Sequence, residues 1–328
     1  MEKQRRASAV EAPKYAALRI AGKKSMRSPR RRCCFLAFGT TLVIIIAVAV
    51  GLGVGLTRGR GSGASSSSSS SINISLGGYN NTNDANGSYW KPSSGTTWQI
   101  VLSNAVNNTS FDAQVYDIDL FDNTADMISE LQHLGRKVIC YFSAGSYEDF
   151  RPDSAAFKKS DYANALDGWP GEYWLNTNSS NVRSIMLARI DLAKTKGCDG
   201  VDPDNVDGYE NDTGLDLTHT TAVDYLSFLA SEAHSRNMSI GLKNSGAIVN
   251  QTLGMMEWEV NEQCVQYQEC ADFQPFIAAG KAVFHIEYPK SAPSVSAADK
   301  SQDCNGQSAG GFSTILKDMN LDDWMATC

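Results

Sequence analysis

Short apolar runs alternate with helix-length amphipathic stretches along residues 96–317, and this alternation constrains the fold more than any other feature. It predicts parallel strands joined by crossover helices, because a helix must carry the chain back between two parallel neighbours. The predicted strands are 98–102, 115–120, 137–142, 200–202, 239–243, 258–261 and 282–286. The predicted helices are 123–134, 181–196, 220–236 and 275–279, with another short helix near the C-terminus.

The number of these units favours a barrel over an open sheet. Seven or eight strand-helix units in about 220 residues match the size of a (β/α)8 TIM barrel. A doubly wound open sheet is the alternative, but the first strand is not followed by the Gly-x-Gly-x-x-Gly turn typical of that fold. We therefore predict an α/β fold of the TIM-barrel class.

Polar side chains recur at the C-terminal ends of the predicted strands. TIM barrels carry their active sites at this end, where separate strands each supply one or two groups. The recurrence therefore predicts a functional site at the rim. Its members are Asp117, Asp119, Tyr141, Ser143, Asp202, Asp204, Lys243, Asn244, Glu259, Glu262, Glu287 and Tyr288.

The first 95 residues predict a membrane anchor and a linker. Residues 33–56 carry no charge and are long enough, as a helix, to cross a bilayer core of ~30 Å. Residues 1–32 hold eleven basic and two acidic residues, so this tail is expected on the cytoplasmic side of the cell membrane and residues 96–328 outside. A cleaved signal peptide is the alternative, although both segments are long for one. Residues 57–95 are rich in glycine and serine and predict a flexible linker.

Glycosylation sequons and cysteines support export. Asn-x-Ser/Thr sequons are dense after residue 57, as in glycoproteins of the secretory pathway, and six cysteines there predict disulfide bonds in an oxidising compartment. The sequons begin at Asn73, Asn80, Asn86, Asn107, Asn108, Asn178, Asn211, Asn237 and Asn250. The favoured pairs are Cys264 with Cys270 and Cys304 with Cys328, while Cys140 and Cys198 are left as buried thiols or a third bridge.

The charge of the exported part limits its partners. The whole chain has a formal net charge of −7, so removing the +9 tail leaves −16 on residues 33–328. Such a domain repels nucleic acid and favours a neutral or cationic ligand. Acidity that serves only solubility is the alternative.

An acidic run at residues 197–209, GCDGVDPDNVDGY, is the first candidate for chemistry. Its aspartates cannot all be ionised side by side without a cation, hydrogen-bond donors or shifted pKa values. Calcium-loop spacing is absent, but Asp202 to Val206 resembles the Asp-x-Asp-x-Val motif of haloacid-dehalogenase-type phosphatases. As half of a glycosidase pair, Asp204 is preferred because it lies just past the strand, with Asp202 below it. The acids could instead cap the next loop and helix.

A second acidic segment supplies the partner. Glu262 follows an apolar strand and is expected to reach the rim, whereas Glu259 lies deeper. Burial should raise the pKa of Glu262, as a general acid requires near neutral pH. Lys243 places a cation where these acids converge, either to hold a carboxylate ionised or for simple charge compensation.

Several other chemistries have no sequence signal. The four histidines show no metal-ligand spacing, and no nucleophile elbow or Walker loop is present. We therefore predict no metal and no cofactor.

Four segments together resemble glycoside hydrolase family 114. They are residues 138–153 (VICYFSAGSYEDFRPD), 197–207, 240–244 (IGLKN) and 259–262 (EVNE), and they occur in the family's order between about residues 96 and 288. The resemblance implies a TIM barrel with endo-α-1,4-polygalactosaminidase activity. It implies a cationic or partly N-acetylated galactosamine polysaccharide as substrate, such as the fungal biofilm polymer galactosaminogalactan. The anchor and serine-rich tether also resemble those of fungal members of the family.

The resemblance also implies roles for individual residues. Asp204 and Glu262 would form the catalytic pair, with Asp204 as nucleophile and Glu262 as acid/base in a retaining mechanism. Two other functions stay open: a non-catalytic carbohydrate-binding barrel and a magnesium-dependent phosphohydrolase. The residues expected to line the substrate subsites are Asp119, Tyr141, Asp202, Lys243, Asn244, Glu259, Glu287 and Tyr288.

Overall fold

The computed structural model describes residues 89–328. The predicted cytoplasmic tail, membrane span and most of the linker therefore lie outside the described residues. Between residues 89 and 328, no helix combines the length and apolarity needed to cross a membrane.

The described chain is built around one sheet of nine strands, eight of which run parallel. Their order follows the sequence, apart from three short strands that form a separate sheet. The last strand pairs antiparallel with its neighbour. The strands of the large sheet are β1 (Trp98–Val101), β2 (Val115–Asp119), β3 (Lys137–Ser143), β7 (Gly200–Asp204), β8 (Ser239–Lys243), β9 (Trp258–Glu262), β10 (Ala282–Glu287), β11 (Ser313–Leu316) and β12 (Ala326–Thr327).

The large sheet curls so that its two ends come together, consistent with a TIM-type barrel. Trp98 Nε1 in β1 donates a hydrogen bond of 2.8 Å to the Ser313 carbonyl in β11, and Lys317 Nζ donates one of 3.1 Å to Gln99 Oε1. A buried cluster that includes Trp98, Trp258 and Phe284 fills the interior. Trp258 fits because residue 241 is glycine: a Cβ there would lie 2.1 Å from Trp258 Nε1.

Helices cover the outer face of the sheet and begin at recognisable caps. Side chains of Thr124, Ser179 and Thr218 each accept a hydrogen bond from the first turn of the helix that follows. The α-helices are α1 (Ala125–His133), α2 (Ser180–Lys196), α3 (His219–Ser235), α4 (Val249–Thr252), α5 (Cys264–Tyr267), α6 (Gln274–Ala278) and α7 (Ala297–Cys304). The 3₁₀ helices are Ser154–Ala156, Lys159–Asp161, Gly208–Glu210, Gly246–Ile248 and Cys270–Phe273.

All seven predicted strands and the four predicted helices with stated bounds are present within a few residues of those bounds, but two features of the fold were not predicted. One is β11, the eighth parallel strand. The other is a small antiparallel sheet between β3 and α2, in the order β4 (Ser146–Glu148), β6 (Glu172–Leu175), β5 (Tyr162–Ala165). These strands have only three or four residues each, too few for a clear alternation of apolar and polar positions.

The described chain contains three disulfide bonds. The two favoured pairs, Cys264–Cys270 and Cys304–Cys328, are both formed. Cys140 and Cys198, left open by the sequence, form the third bond. It ties β3 to the segment that leads into β7 and the acidic run.

Candidate active site

Adjacent parallel strands bring two acids and a lysine together at the C-terminal end of the sheet. Asp204 ends β7, Lys243 ends β8 and Glu262 ends β9, and these strands are consecutive neighbours. Lys243 Nζ lies 2.6 Å from Glu262 Oε2 and 3.3 Å from Asp204 Oδ1. The lysine side chain is 4% exposed, whereas those of Asp204 and Glu262 are 17% and 25% exposed. The two carboxylates therefore remain accessible above a buried cation.

The shared lysine limits the separation of the two carboxylates. Two oxygens that contact the same nitrogen at 2.6 and 3.3 Å cannot be further apart than the sum of those distances, 5.9 Å. Carboxyl groups of retaining glycosidases lie ~5 to 5.5 Å apart, and those of inverting enzymes ~6.5 to 9.5 Å apart. The facing oxygens of Asp204 and Glu262 are therefore closer together than the separation of inverting enzymes, which favours a retaining pair.

Hydrogen bonds fix the orientation of Asp204. Tyr141 OH donates to Oδ2 at 2.8 Å, and the backbone N–H of Asn205 donates to Oδ1 at 2.7 Å. Asn205 has a φ of 60° and donates through its side chain to Ser143 Oγ at 2.9 Å. The turn after β7 is thus held on β3, with Asp204 pointing at the shared lysine.

Glu262 is held by a reciprocal contact with Asn244. Asn244 Nδ2 donates to Glu262 Oε2 at 3.2 Å, and Glu262 N–H donates to Asn244 Oδ1 at 2.9 Å. Tyr288 OH donates to the other carboxylate oxygen, Oε1. Each oxygen of Glu262 therefore has at least one donor, and the side chain cannot rotate without losing them.

These contacts determine the charges at the site. Burial opposes a charge on Lys243, but the carboxylates of Asp204, Glu262 and Asp202 outweigh it and hold the lysine pKa well above its usual value. Burial also raises the pKa of Glu262, yet the Lys243 ammonium and the donors from Tyr288 and Asn244 bring that pKa below its usual range. The sequence prediction of a raised Glu262 pKa is therefore wrong, because direct contact with Lys243 and the two donors outweighs the effect of burial.

Three fully buried acids lie inside the sheet near this site. Burial raises the pKa of Asp202 to about 7 and those of Asp117 and Glu259 well above their usual values. No carboxylate oxygen of the three has a hydrogen-bond donor among the described residues. The negative charges of Asp202 and Asp204 add to the effect of burial on the pKa of Asp117. Of these three acids, Asp202 contributes to the raised pKa of Lys243.

The structure does not support direct substrate contact for four predicted subsite residues, because Asp119, Asp202, Glu259 and Glu287 are each at most 2% exposed. Asp119 is also fully engaged: Arg151 Nη1 lies 2.7 Å from Oδ2, and the backbone N–H groups of Phe121 and Asp122 donate to Oδ1.

Glu287 is engaged as well. His285 Nε2 lies 2.9 Å from Glu287 Oε1, and the Val265 N–H donates to the same oxygen at 2.7 Å. The other four predicted subsite residues, Tyr141, Lys243, Asn244 and Tyr288, all contact Asp204 or Glu262.

Two neighbours of Asp204, Asn205 and Asp207, were not among the predicted site residues. Asn205 follows Asp204 directly, so its place in the motif was the available signal. Burial raises the pKa of Asp207 to about 6, with the Asp204 charge adding to the effect. Asp207 therefore carries a proton at mildly acidic pH.

One group in the described part of the chain has metal-ligand residue types. Cys264, Cys270 and His285 place their ligand atoms within 4.8 Å of one another. The two cysteines are joined as a disulfide, so their sulfurs are not thiolates that could bind an ion. The group lies beside β9 and β10, next to the acidic pair.

Comparison with known proteins identifies the family. The model of glycoside-hydrolase family GH114 matches residues 79–328. A similar solved structure is that of Aspergillus fumigatus Ega3 in complex with galactosamine, which is 56% identical with a TM-score of 0.72. The match covers 74% of this chain and 98% of that chain. No curated protein matches this chain.

A more distant structure shares the fold. The glycoside hydrolase domain of PelA from Pseudomonas aeruginosa is 11% identical with a TM-score of 0.59, over 71% of this chain and 98% of that chain. At this identity the likeness concerns the fold alone.

Proposed function

Because the chain belongs to glycoside-hydrolase family GH114, we propose that it is an endo-acting glycosidase that hydrolyses α-1,4-linked, galactosamine-rich polysaccharide of the galactosaminogalactan type. Two observations support this substrate. A 56% identical protein has been crystallised with galactosamine. The net charge of −16 on residues 33–328 also suits a polymer whose free amines are cationic.

The pair Asp204–Glu262, joined by Lys243, carries the proposed mechanism. In the first step an oxygen of Asp204 bonds to the anomeric carbon, while Glu262 gives its proton to the departing glycosidic oxygen. In the second step Glu262 takes a proton from water, the water oxygen bonds to the anomeric carbon, and the bond to Asp204 breaks. Two inversions leave the product with the configuration of the substrate.

The contacts around the pair fit these roles. Tyr141 and Asn205 orient the Asp204 oxygens, and the buried Lys243 ammonium lies 3.3 Å from Oδ1. Glu262 can act as an acid only when it is protonated. Lys243 holds its pKa low, so the protonated fraction becomes large only as the pH falls. The proposed enzyme therefore works best at mildly acidic pH.

We also infer that the curled sheet is a closed (β/α)8 barrel. The hydrogen bonds from Trp98 to Ser313 and from Lys317 to Gln99 link its first and eighth parallel strands. Closure supports the mechanism, since it places the ends of β7, β8 and β9 around one rim.

The location of the protein is likewise a proposal. We propose a single-pass membrane protein, anchored through residues 33–56, with residues 96–328 outside the cell and glycosylated. All six sequon asparagines within residues 89–328 are exposed: Asn107, Asn108, Asn178, Asn211, Asn237 and Asn250. Protease accessibility on intact cells, combined with a glycosidase-induced shift in mass, tests both features. An N-terminus accessible from outside would refute the proposed orientation.

Acid-to-amide substitutions test the catalytic pair. Asp204→Asn and Glu262→Gln in the purified full chain should each lower cleavage of deacetylated polymer by at least about 10³-fold. Asp191→Asn and Glu232→Gln are matched controls. Asp191 lies on α2 and Glu232 on α3, both form ion pairs with Arg236, and neither contacts the site. Full activity in either site variant would refute the assignment.

The same assay separates the two other functions. A carbohydrate-binding barrel without catalysis would bind the polymer and release no oligosaccharide. A magnesium-dependent phosphohydrolase would leave the polymer intact and lose its activity with a chelator. Polymer cleavage that a chelator does not affect is the result expected here.

A further inference from the structure

The small sheet between β3 and α2 carries three tyrosines on one face. Tyr147 in β4 is opposite Tyr173 in β6, and Tyr162 begins the neighbouring β5. Ser146 and Glu148, which flank Tyr147 in the strand, are both buried. Because side chains alternate along a strand, Tyr147 points to the opposite face, where it remains partly exposed.

The three rings form one aromatic surface, here called the tyrosine platform (Tyr147, Tyr162 and Tyr173). Tyr147 and Tyr162 are stacked, with ring centroids 4.4 Å apart and an angle of 5° between ring planes. Tyr173 is tilted against both, with centroids 5.5 Å from Tyr162 and 6.1 Å from Tyr147. None of the three phenol hydroxyls hydrogen-bonds to another residue in the described range 89–328. They remain available to a ligand.

A lysine ammonium already lies on this surface. Lys159 Nζ is 4.4 Å from the centroid of Tyr162 and 5.6 Å from that of Tyr173. Tyr147 covers one face of the Tyr162 ring, so the lysine must lie over the other. Lys159 is exposed and forms no ion pair within the described residues. The site therefore holds an amine by cation–π attraction alone.

Three exposed aspartates adjoin the strands of the platform, beside the two lysines Lys158 and Lys159. Asp149, Asp167 and Asp212 are exposed and unpaired with any described basic residue. Asp149 adjoins β4, Asp167 follows β5, and the Asp212 carbonyl accepts a hydrogen bond from Asn164 in β5. These charges favour a cationic ligand over a neutral one.

The platform is connected to the catalytic end of the sheet. The N–H groups of Ala144 and Gly145 both donate to the carbonyl of Asp204, at 2.8 and 3.0 Å, and the N–H of Leu175 donates to that of Gly145. Only glycine permits this approach, since a Cβ on residue 145 would lie 1.6 Å from the Asn205 carbonyl oxygen. A polymer bound at Asp204 and Glu262 therefore has the platform on the same end of the fold.

We propose that the tyrosine platform is a second carbohydrate-binding surface, which takes a galactosamine unit of the polymer with its ammonium where Lys159 Nζ now lies. This inference rests on the proposed function. A pyranose ring packs its C–H face on an aromatic ring, its ammonium is attracted to the ring face, and its hydroxyls can bond to the phenols. Occupancy requires Lys159 to swing out into solvent.

Binding assays in a full chain that carries Asp204→Asn test the platform without cleavage. Tyr162→Leu with Tyr173→Leu should weaken binding of deacetylated α-1,4-galactosamine polymer about tenfold, while retaining apolar side chains at both positions. Lys159→Gln should instead tighten binding about threefold, because it uncovers the ring faces. Both effects should shrink on fully N-acetylated polymer, which has no ammonium. Tyr267→Leu, at an exposed tyrosine in α5, is the control and should change nothing.

The double leucine variant should bind the polymer more weakly and Lys159→Gln more tightly, and these opposite effects separate a binding role from a structural one. Unchanged binding in the double leucine variant, or weaker binding in Lys159→Gln, would overturn the platform. Loss of all polymer binding by the Asp204→Asn parent would overturn the proposed function together with it. In chains that retain Asp204, the double leucine variant should lower kcat/KM on polymer and leave that on a galactosamine trisaccharide unchanged. Equal losses on both substrates would also overturn the platform.

Discussion

Replacement of Lys243 by methionine should move the pH–activity profile to higher pH. Lys243 Nζ contacts the carboxylates of Asp204 and Glu262, the proposed catalytic pair, and methionine has nearly the same length as lysine without the charge. Removing a cation raises the pKa of the carboxyl groups beside it. The protonated fraction of Glu262, which the mechanism needs as its acid, should therefore persist to higher pH.

The distances give the size of this shift. At an effective dielectric constant of about 20, unit charges 2.6 and 3.3 Å apart attract by about 6 and about 5 kcal/mol. Since one pKa unit corresponds to about 1.4 kcal/mol, even a quarter of the Glu262 interaction is about one unit. Water reaches these charges, because the Glu262 side chain is 25% exposed, and this lowers the interaction energy between Lys243 and Glu262 below the full value of about 6 kcal/mol.

The assay is the pH dependence of kcat/KM on a soluble galactosamine oligosaccharide, which reports the essential acid and base of the free enzyme. In Lys243→Met, the basic limb should rise by at least about one pH unit, and kcat/KM at the optimum should fall at least about tenfold because the Asp204 carboxylate loses its cation. Lys290→Met, at an exposed lysine two residues after Tyr288, is the matched control. A basic limb that stays in place in a folded Lys243→Met protein would refute this account of Glu262.

Three further results are expected. Tyr288→Phe removes one donor to Glu262, so the basic limb of the same profile should rise by less than in Lys243→Met; a fall would contradict the assigned contact. Folded Asp202 keeps its proton up to a pKa of about 7, against 3.8 in the unfolded chain. Its contribution to the unfolding free energy is therefore lost as the pH rises from about 4 to 7, by up to about 4 kcal/mol. In urea denaturation, the change in unfolding free energy between pH 5 and pH 7.5 should be smaller in Asp202→Asn than in the parent. Cys140→Ser with Cys198→Ser opens a bond between residues 58 apart and should cost about 4 kcal/mol in the same denaturation assay, a loss that an unchanged midpoint would refute.

The strand pattern was readable because buried parallel strands are continuous apolar runs. Each predicted strand contains residues that the structure buries, and the polar residue after each run marks the rim. Asp204 and Glu262 could be chosen on this basis, since each lies at the end of its strand and is partly exposed. Strand order then determines that they are near each other.

The partners of the site residues were not readable, because they depend on contacts between distant segments. Asp119 ends β2 just as Asp204 ends β7, yet Arg151 from the segment after β4 forms an ion pair with it. The sequence placed Lys243 among these acids, but it did not show that the ammonium contacts Glu262 directly and outweighs the effect of burial on its pKa. The short strands of the small sheet were missed for a related reason, since pairing between segments stabilises them more than their own sequences do.

The stereochemistry of the first product tests the central claim, that Asp204 and Glu262 form a retaining pair bridged by Lys243. Proton NMR during hydrolysis of a short α-1,4-linked galactosamine oligosaccharide can follow the new reducing end before it mutarotates. Carboxylate oxygens no more than 5.9 Å apart predict that the α-anomer is formed first and the β-anomer accumulates later. Initial formation of the β-anomer would contradict the assignment of Asp204 as nucleophile.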